Sequence, residues 1–147
     1  MTAGDEYPTD VIPVHLMLRE VWSAGDLALV DELVAKAHVQ HDPVFPEPVR
    51  GRSSLKEAIG RFRTGTPDLT KVVDETYVDD GTVIARYTAT GTHEGELLGV
   101  APTGRSIAVD GIYLSHVEDG KLIESTDMWD AFGALQQIET GAPGPRS

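Results

Sequence analysis

At 147 residues the chain has the length of one domain, long enough to bury a core unaided, and it contains no cysteine, which removes disulfide frameworks, thiolate nucleophiles and cysteine-bound zinc. Its 24 acidic against 12 basic side chains leave a formal charge of −12, which opposes nucleic-acid backbones and anionic lipid surfaces. The first residues lack a signal-peptide pattern and no apolar run reaches the length of a membrane span, so a cytoplasmic protein is expected, with neither nucleic acid nor membrane as partner.

Residues 1–10, rich in Gly, Asp, Glu and Pro, read as a flexible arm, residues 11–140 as the domain, and residues 141–147 as a disordered tail. From Val14 onward His15, Leu18, Val21 and Trp22 fall at helical spacing. Ser23-Ala24-Gly25 ends that helix and Asp26 caps a second one carrying Leu29, Leu33 and Val34. Alternation through Ala37, Val39 and His41 predicts a short strand, and the prolines between Asp42 and Pro48 predict a loop. Ser53 or Ser54 can cap a third helix, in which Leu55, Ala58, Ile59 and Phe62 form one apolar stripe ending at Gly65-Thr66-Pro67.

After Pro67 the period becomes two, with strands near residues 69–78, 82–92, 105–117 and 122–129. Asp79-Asp80-Gly81 and Glu118-Asp119-Gly120 are hairpin turns in which glycine supplies positive φ. Asp130 caps a last short helix, residues 131–138. Three helices followed by antiparallel strands predict an α+β fold with the helices packed on one face of the sheet.

A three-residue loop in the last hairpin would place Tyr113, Ser115, Val117, Ile123, Ser125, Asp127 and Trp129 on one face. Asp127 is then one carboxylate among apolar and hydroxyl neighbours, where a raised pKa would suit it to proton transfer. Glu124 and Asp130 point away from it. His93 shares the parity of Tyr87 and Ala89, the cavity side of its strand, and could relay a proton. Tyr113 faces Asp127 and could hold an enolate oxygen. His41 is expected at the cavity mouth, and His116 and Arg86 outside. His38-x-x-His41-Asp42 has a metal-like look, but residues three apart on a strand face opposite ways, so no metal site is expected.

Reading on through GTHEGELLGVAPTGR (Gly91 to Arg105), DGKLIESTDMWD and FGALQQIETG, the chain resembles the SnoaL-like polyketide cyclases of the NTF2-like superfamily, over about Val14 to Gly141. The SAGDLALVDELV and GRSSLKEAI segments belong to the same likeness. The resemblance implies a cone-shaped barrel, a strongly curved antiparallel sheet with three helices packed on it. It also implies an acid/base aspartate near the end of the last strand, which falls on Asp127. The family often has a tryptophan near Thr126 and a histidine where this chain has Tyr113; both are departures.

The expected function is cofactor-independent ring closure of a polyketide by an intramolecular aldol-type step. Asp127, His93 and Tyr113 are the expected catalytic groups, and His41, Tyr87, Leu98, Ile107, Val109, Ser125 and Trp129 the expected substrate contacts. Val83 completes the apolar mould, and Leu97, Leu98 and Pro102 are candidate gate residues. The alternatives are another enzyme on the same fold, an isomerase or an epoxide hydrolase, and a noncatalytic binding module. Epoxide hydrolases of this fold resemble an aspartate-arginine-aspartate set, which an outward Arg86 does not supply. Apolar residues at the outward positions Ile112, Leu114 and Met128 predict a homodimer through the outer face of the sheet.

Overall fold

The computed structural model describes residues 8–141. The expected flexible arm and disordered tail fall largely on residues 1–7 and 142–147, outside the described residues. Helix α1 (Val11–Leu16) starts earlier than the spacing from Val14 suggests, because Val11 joins Val14 in the core and Pro13 sits in the first turn, where its missing N–H costs nothing. It runs on as a π-helical segment, Met17–Ser23, that buries Met17, Leu18, Val21 and Trp22. Gly25, at φ +80°, reverses the chain into a 3-10 turn and α2 (Val30–Leu33). Asp26 stands at that start without a side-chain cap bond, a correction to the capping expectation.

Strand β1 (Val34–His41) buries His38 and Gln40 and turns Val39 and His41 toward solvent. Apolar residues alone suggested the opposite phase; the strand lies parallel to β6, whose Ser125 stands beside Gln40. A two-residue strand β2 (Val49–Arg50) pairs with β1, and Gly51, at φ +85°, leads into α3 (Arg52–Gly65) in place of a serine cap. The apolar stripe of α3 is as expected, with Leu55, Ala58 and Ile59 buried.

Strands β3 (Thr70–Asp79), β4 (Thr82–Thr92), β5 (Ser106–Glu118) and β6 (Lys121–Trp129) follow as an antiparallel meander. Helix α4 (Ala131–Thr140) closes the chain; Asp130 caps it by accepting from the Gly133 N–H at 2.8 Å. Gln137 docks it on β5 through two bonds to the Ala108 backbone, 2.8 and 2.9 Å.

The turn between β5 and β6 has two residues, not three: Asp119 and Gly120 both have positive φ, and Glu118 pairs with Lys121. A register shift beyond Val117 then inserts one residue and restores the odd-to-odd pairing of Ser115 with Ser125, Tyr113 with Asp127 and Gly111 with Trp129. The inner face is therefore reached by a tighter turn plus a bulge. The correction falls on the start of β6, where Leu122 is inside and Ile123 is not fully buried.

Sheet order is β2-β1-β6-β5-β4-β3, a mixed, curved sheet with open edges at β2 and β3. It is thus neither wholly antiparallel nor closed, and the four α-helical segments among the described residues are the three expected to pack on the sheet and the last short helix. Val14, Met17, Leu18 and Val21 from the first helix pack with Val83, Ala85 and Leu122 of the sheet. No helix among the described residues is long and apolar enough to cross a membrane.

Candidate active site

Curvature leaves a pocket between the inner face of β3 to β6 and the helices, about 540 Å³ of empty space when the open solvent at its mouth is included. Phe62 lines it between two other rings, 5.7 Å from that of Trp129 and 5.8 Å from that of Trp22, making an aromatic wall. Ile107, Val109, Leu97 and Ala89 supply the aliphatic surface.

Asp127 lines this pocket at 1% exposure. It does not stand alone. The Lys71 ammonium lies 3.1 Å from Oδ2, and the Tyr87 hydroxyl donates to Oδ1 at 2.6 Å. Lys71 reaches in from β3 with its Nζ 3.6 Å from the Trp22 ring centre and 4.7 Å from that of Tyr87, so two aromatic faces and a carboxylate surround the buried cation. Burial, with the Asp127 charge beside it, pushes the Tyr87 phenol far above its ordinary pKa and keeps it a proton donor to the carboxylate. Tyr87 can reach Asp127 because its cross-strand partner is Gly111, where any Cβ would overlap the phenol ring.

Sequence reasoning missed Lys71. Its signal was its parity: in the strand from Leu69 it shares the phase of Leu69 and Val73, which is the buried one. Asp42 was also missed, because its proline-rich surroundings read as a surface loop. It lines the same pocket, accepting from the Val44 N–H at 3.1 Å and from the Trp129 indole N–H at 3.0 and 3.2 Å. Burial raises its pKa to about 6; the Asp127 charge adds to the rise, and the Val44 and Trp129 bonds and the Lys71 charge oppose it.

The structure brings Tyr87, Ile107, Val109 and Trp129 to the pocket with Asp127, and Leu97 with them. Tyr113 pairs across the strands with Asp127 but is wholly buried beneath the pocket, against Ser115 and Ser125; burial raises its pKa. Ser125 lies in the same layer, 2.9 Å from the Ser115 hydroxyl and 3.0 Å from Nε2 of His38. Desolvation lowers the His38 pKa to about 4.

His93 is not brought to the pocket. Its Nδ1 meets the Thr103 N–H (3.2 Å) and hydroxyl (2.9 Å), and its Nε2 lies 3.1 Å from the Val100 carbonyl, so both ring nitrogens tie down the connection to β5. His41 faces outward from β1 and bonds Glu124 at 2.6 Å, away from the cavity mouth where it was expected; its neighbour Asp42 lines the pocket instead. Leu98 sits at φ +53° in the tight turn bridged by Leu97 and Val100, beside a shallow outer depression and not the pocket. Pro102 is exposed and Val83 lies deeper in the core. Arg86 and His116 are outside, Arg86 paired with Glu75 and His116 with Thr82.

The profile of the SnoaL-like polyketide cyclase family matches residues 13–138. The aklanonic acid methyl ester cyclase DnrD of Streptomyces peucetius is 27% identical over 138 residues, covering 88% of this chain and 91% of that protein. AcmA of Streptomyces galilaeus, an aklanonic acid methyl ester cyclase, is 40% identical over 65 residues, 44% of this chain and 44% of its own length. Among solved structures, IdmH of Streptomyces antibioticus, described as a candidate polyketide cyclase, superposes with a TM-score of 0.77 at 28% identity, covering 88% of this chain and 97% of that one. A Jannaschia protein superposes with a TM-score of 0.85 over 96% of this chain and 100% of that one; at 24% identity it speaks for the fold alone.

Proposed function

Because the chain belongs to the SnoaL-like polyketide cyclase family, we propose that it closes a ring in a polyketide intermediate by an intramolecular aldol-type step, without a cofactor. The observation that carries this is a buried carboxylate, Asp127, facing an apolar pocket and held there by Lys71 and Tyr87. A carbon flanked by carbonyls is acidic enough for a carboxylate to deprotonate, because the enolate spreads its charge over the substrate's own oxygens. Asp127 takes that proton. The apolar walls fold the chain so that the enolate carbon meets a ketone carbon of the same molecule, and holding two reacting centres together supplies a large share of the acceleration.

Lys71 orients the carboxylate and offsets charge near it, while Tyr87 fixes its second oxygen. The Trp22 indole N–H, buried on the pocket and unpartnered, is the donor left for a substrate carbonyl. His93 and Tyr113 act through structure in this reading, His93 by fixing a loop and Tyr113 by supporting the strand under Asp127. An aldol closure yields an isomer; loss of water from it would make the overall reaction a lyase step.

The test is incubation with aklanonic acid methyl ester, the substrate in the names of the relatives, followed by chromatography and NMR of the product. A cyclic isomer supports the proposal; unchanged ester after prolonged incubation with folded protein removes that substrate, and the same result across a panel of poly-β-carbonyl esters removes the cyclase reading. A second reading, hydration of an epoxide, is favoured by one observation: a cation and two carboxylates line one pocket. It predicts a diol heavier than its substrate by one water. The protein is further proposed to act as a homodimer through the outer face of its sheet.

A further inference from the structure

We propose that Asp42 is a second catalytic carboxylate of this pocket, the general acid that protonates the alkoxide formed once Asp127 has generated the carbon nucleophile. The assignment rests on the cyclase reading above and adds to it a division of labour between two acidic groups. Both carboxylates line one cavity, yet they are held differently. Asp127 accepts from an ammonium and a phenol. Asp42 accepts from two neutral donors, the Val44 N–H and the Trp129 indole N–H.

The geometry distinguishes the two oxygens of Asp42. Oδ1 receives both donors, at 3.1 and 3.0 Å, whereas Oδ2 has only the longer limb of the indole bond, at 3.2 Å. Oδ2 is thus the oxygen with capacity for a proton. The charged and titratable groups that act on Asp42 across the pocket are Asp127, Lys71 and Tyr87; the adjacent His41 is engaged with Glu124 on the other side of the sheet. Burial is the largest influence on Asp42 and favours its neutral form up to about pH 6. Two carboxyl groups whose surroundings differ in this way are suited to opposite ends of a proton transfer.

The step balances as follows. The Asp127 carboxylate removes a proton from the carbon between two carbonyls, and the C–H electrons become the enolate. The enolate carbon bonds to the ketone carbon, whose C=O π electrons move to oxygen. The Asp42 carboxyl group gives its proton to that oxygen. Asp127 leaves the cycle protonated and Asp42 ionised, and exchange with water restores both. The competing view is that Asp42 only orients Trp129, which would alter substrate affinity without placing a titration in the rate.

The deciding experiment measures kcat/KM against pH for the wild type, Asp42→Asn and Trp129→Phe, together with deuterium exchange into the substrate's acidic C–H in heavy water. For the wild type, kcat/KM should fall as pH rises through about 6. Asp42→Asn should lose that limb and about 10²- to 10³-fold in kcat while still exchanging deuterium, whereas Asp127→Asn should lose both exchange and closure. Trp129→Phe removes a donor to the ionised carboxylate and should move the limb to higher pH, a readout that also serves if the Asn variant does not fold. Ring closure by Asp42→Asn at the wild-type rate, or a limb unmoved in Trp129→Phe, would overturn the assignment and leave the cyclase reading standing. A wild type that neither exchanges nor cyclises removes both.

Discussion

Asp127 is held by two donors of different kinds, so replacing each partner probes a different quantity. Asp127→Asn keeps the volume and removes the base, and turnover should drop about 10²- to 10⁴-fold with substrate affinity little changed, as steady-state kinetics beside a binding titration will show. Lys71→Met leaves the carboxylate buried without its cation. Losing one partner of such a pair costs about 3 to 5 kcal/mol, so a lowered urea midpoint should accompany lost activity, whereas Tyr87→Phe should cost about 1 to 3 kcal/mol. His38 carries a separate prediction. Its folded pKa, about 4 against an ordinary 6.5, is depressed, so its contribution is present above pH 6.5 and is lost as pH falls through 4, about 3 kcal/mol in all. Asp42 works in the opposite sense: its raised pKa favours the fold at low pH and loses that effect as pH rises through about 6. The acid limb of stability should therefore be steeper in Asp42→Asn than in the wild type, and denaturant midpoints from pH 7 down to 4 measure it.

At the scale of elements, the site depends on three neighbouring strands being correctly spaced. Tyr87 on β4 reaches Asp127 on β6 by passing over β5 at Gly111, the one position opposite it. Gly111→Ala places a methyl group where the phenol lies, so the ring must move. Overpacking of this kind costs about 1 to 3 kcal/mol, and activity should fall as in Tyr87→Phe even though no catalytic atom is removed. A Gly111→Ala variant with wild-type stability and turnover would contradict the path drawn for Tyr87. The same strands depend on the bulge near Ile123, because a two-residue turn alone would pair odd with even positions and send Asp127 to the solvent face.

For the whole molecule, the feature that bears on assembly is the outer face of the sheet. Val72, Tyr77, Ile112 and Met128 are 56%, 59%, 43% and 58% exposed, large apolar groups on strands whose opposite face is buried. Patches of this kind on soluble proteins mark association surfaces. A second copy would meet the same patch, as two-fold symmetry requires. Light scattering at micromolar concentration should give twice the chain mass, and Met128→Arg should shift it toward one chain without loss of fold. A monomeric wild type would end the dimer proposal.

The sequence by itself determined the alternation that makes β3 to β6, the two Asp-Gly turns, the stripe of α3 and the Asp130 cap. These are local properties: strand parity and turn dihedrals are set by neighbouring residues, so one chain segment carries the whole signal. Only the tertiary structure decided what Asp127 meets. Lys71 lies 56 residues away and is brought to it by strand order; its parity with Leu69 and Val73 gives its direction but not the carboxylate it meets. The inward turn of His38 and Gln40 likewise follows from β1 pairing with β6, where Ser125 stands beside Gln40 and its hydroxyl meets Nε2 of His38. His93 shows the converse, since its parity was compatible with the cavity while a loop closing over it took both of its nitrogens. Parity limits the direction of a side chain, and the partners at its end are fixed only when distant strands and loops pack together.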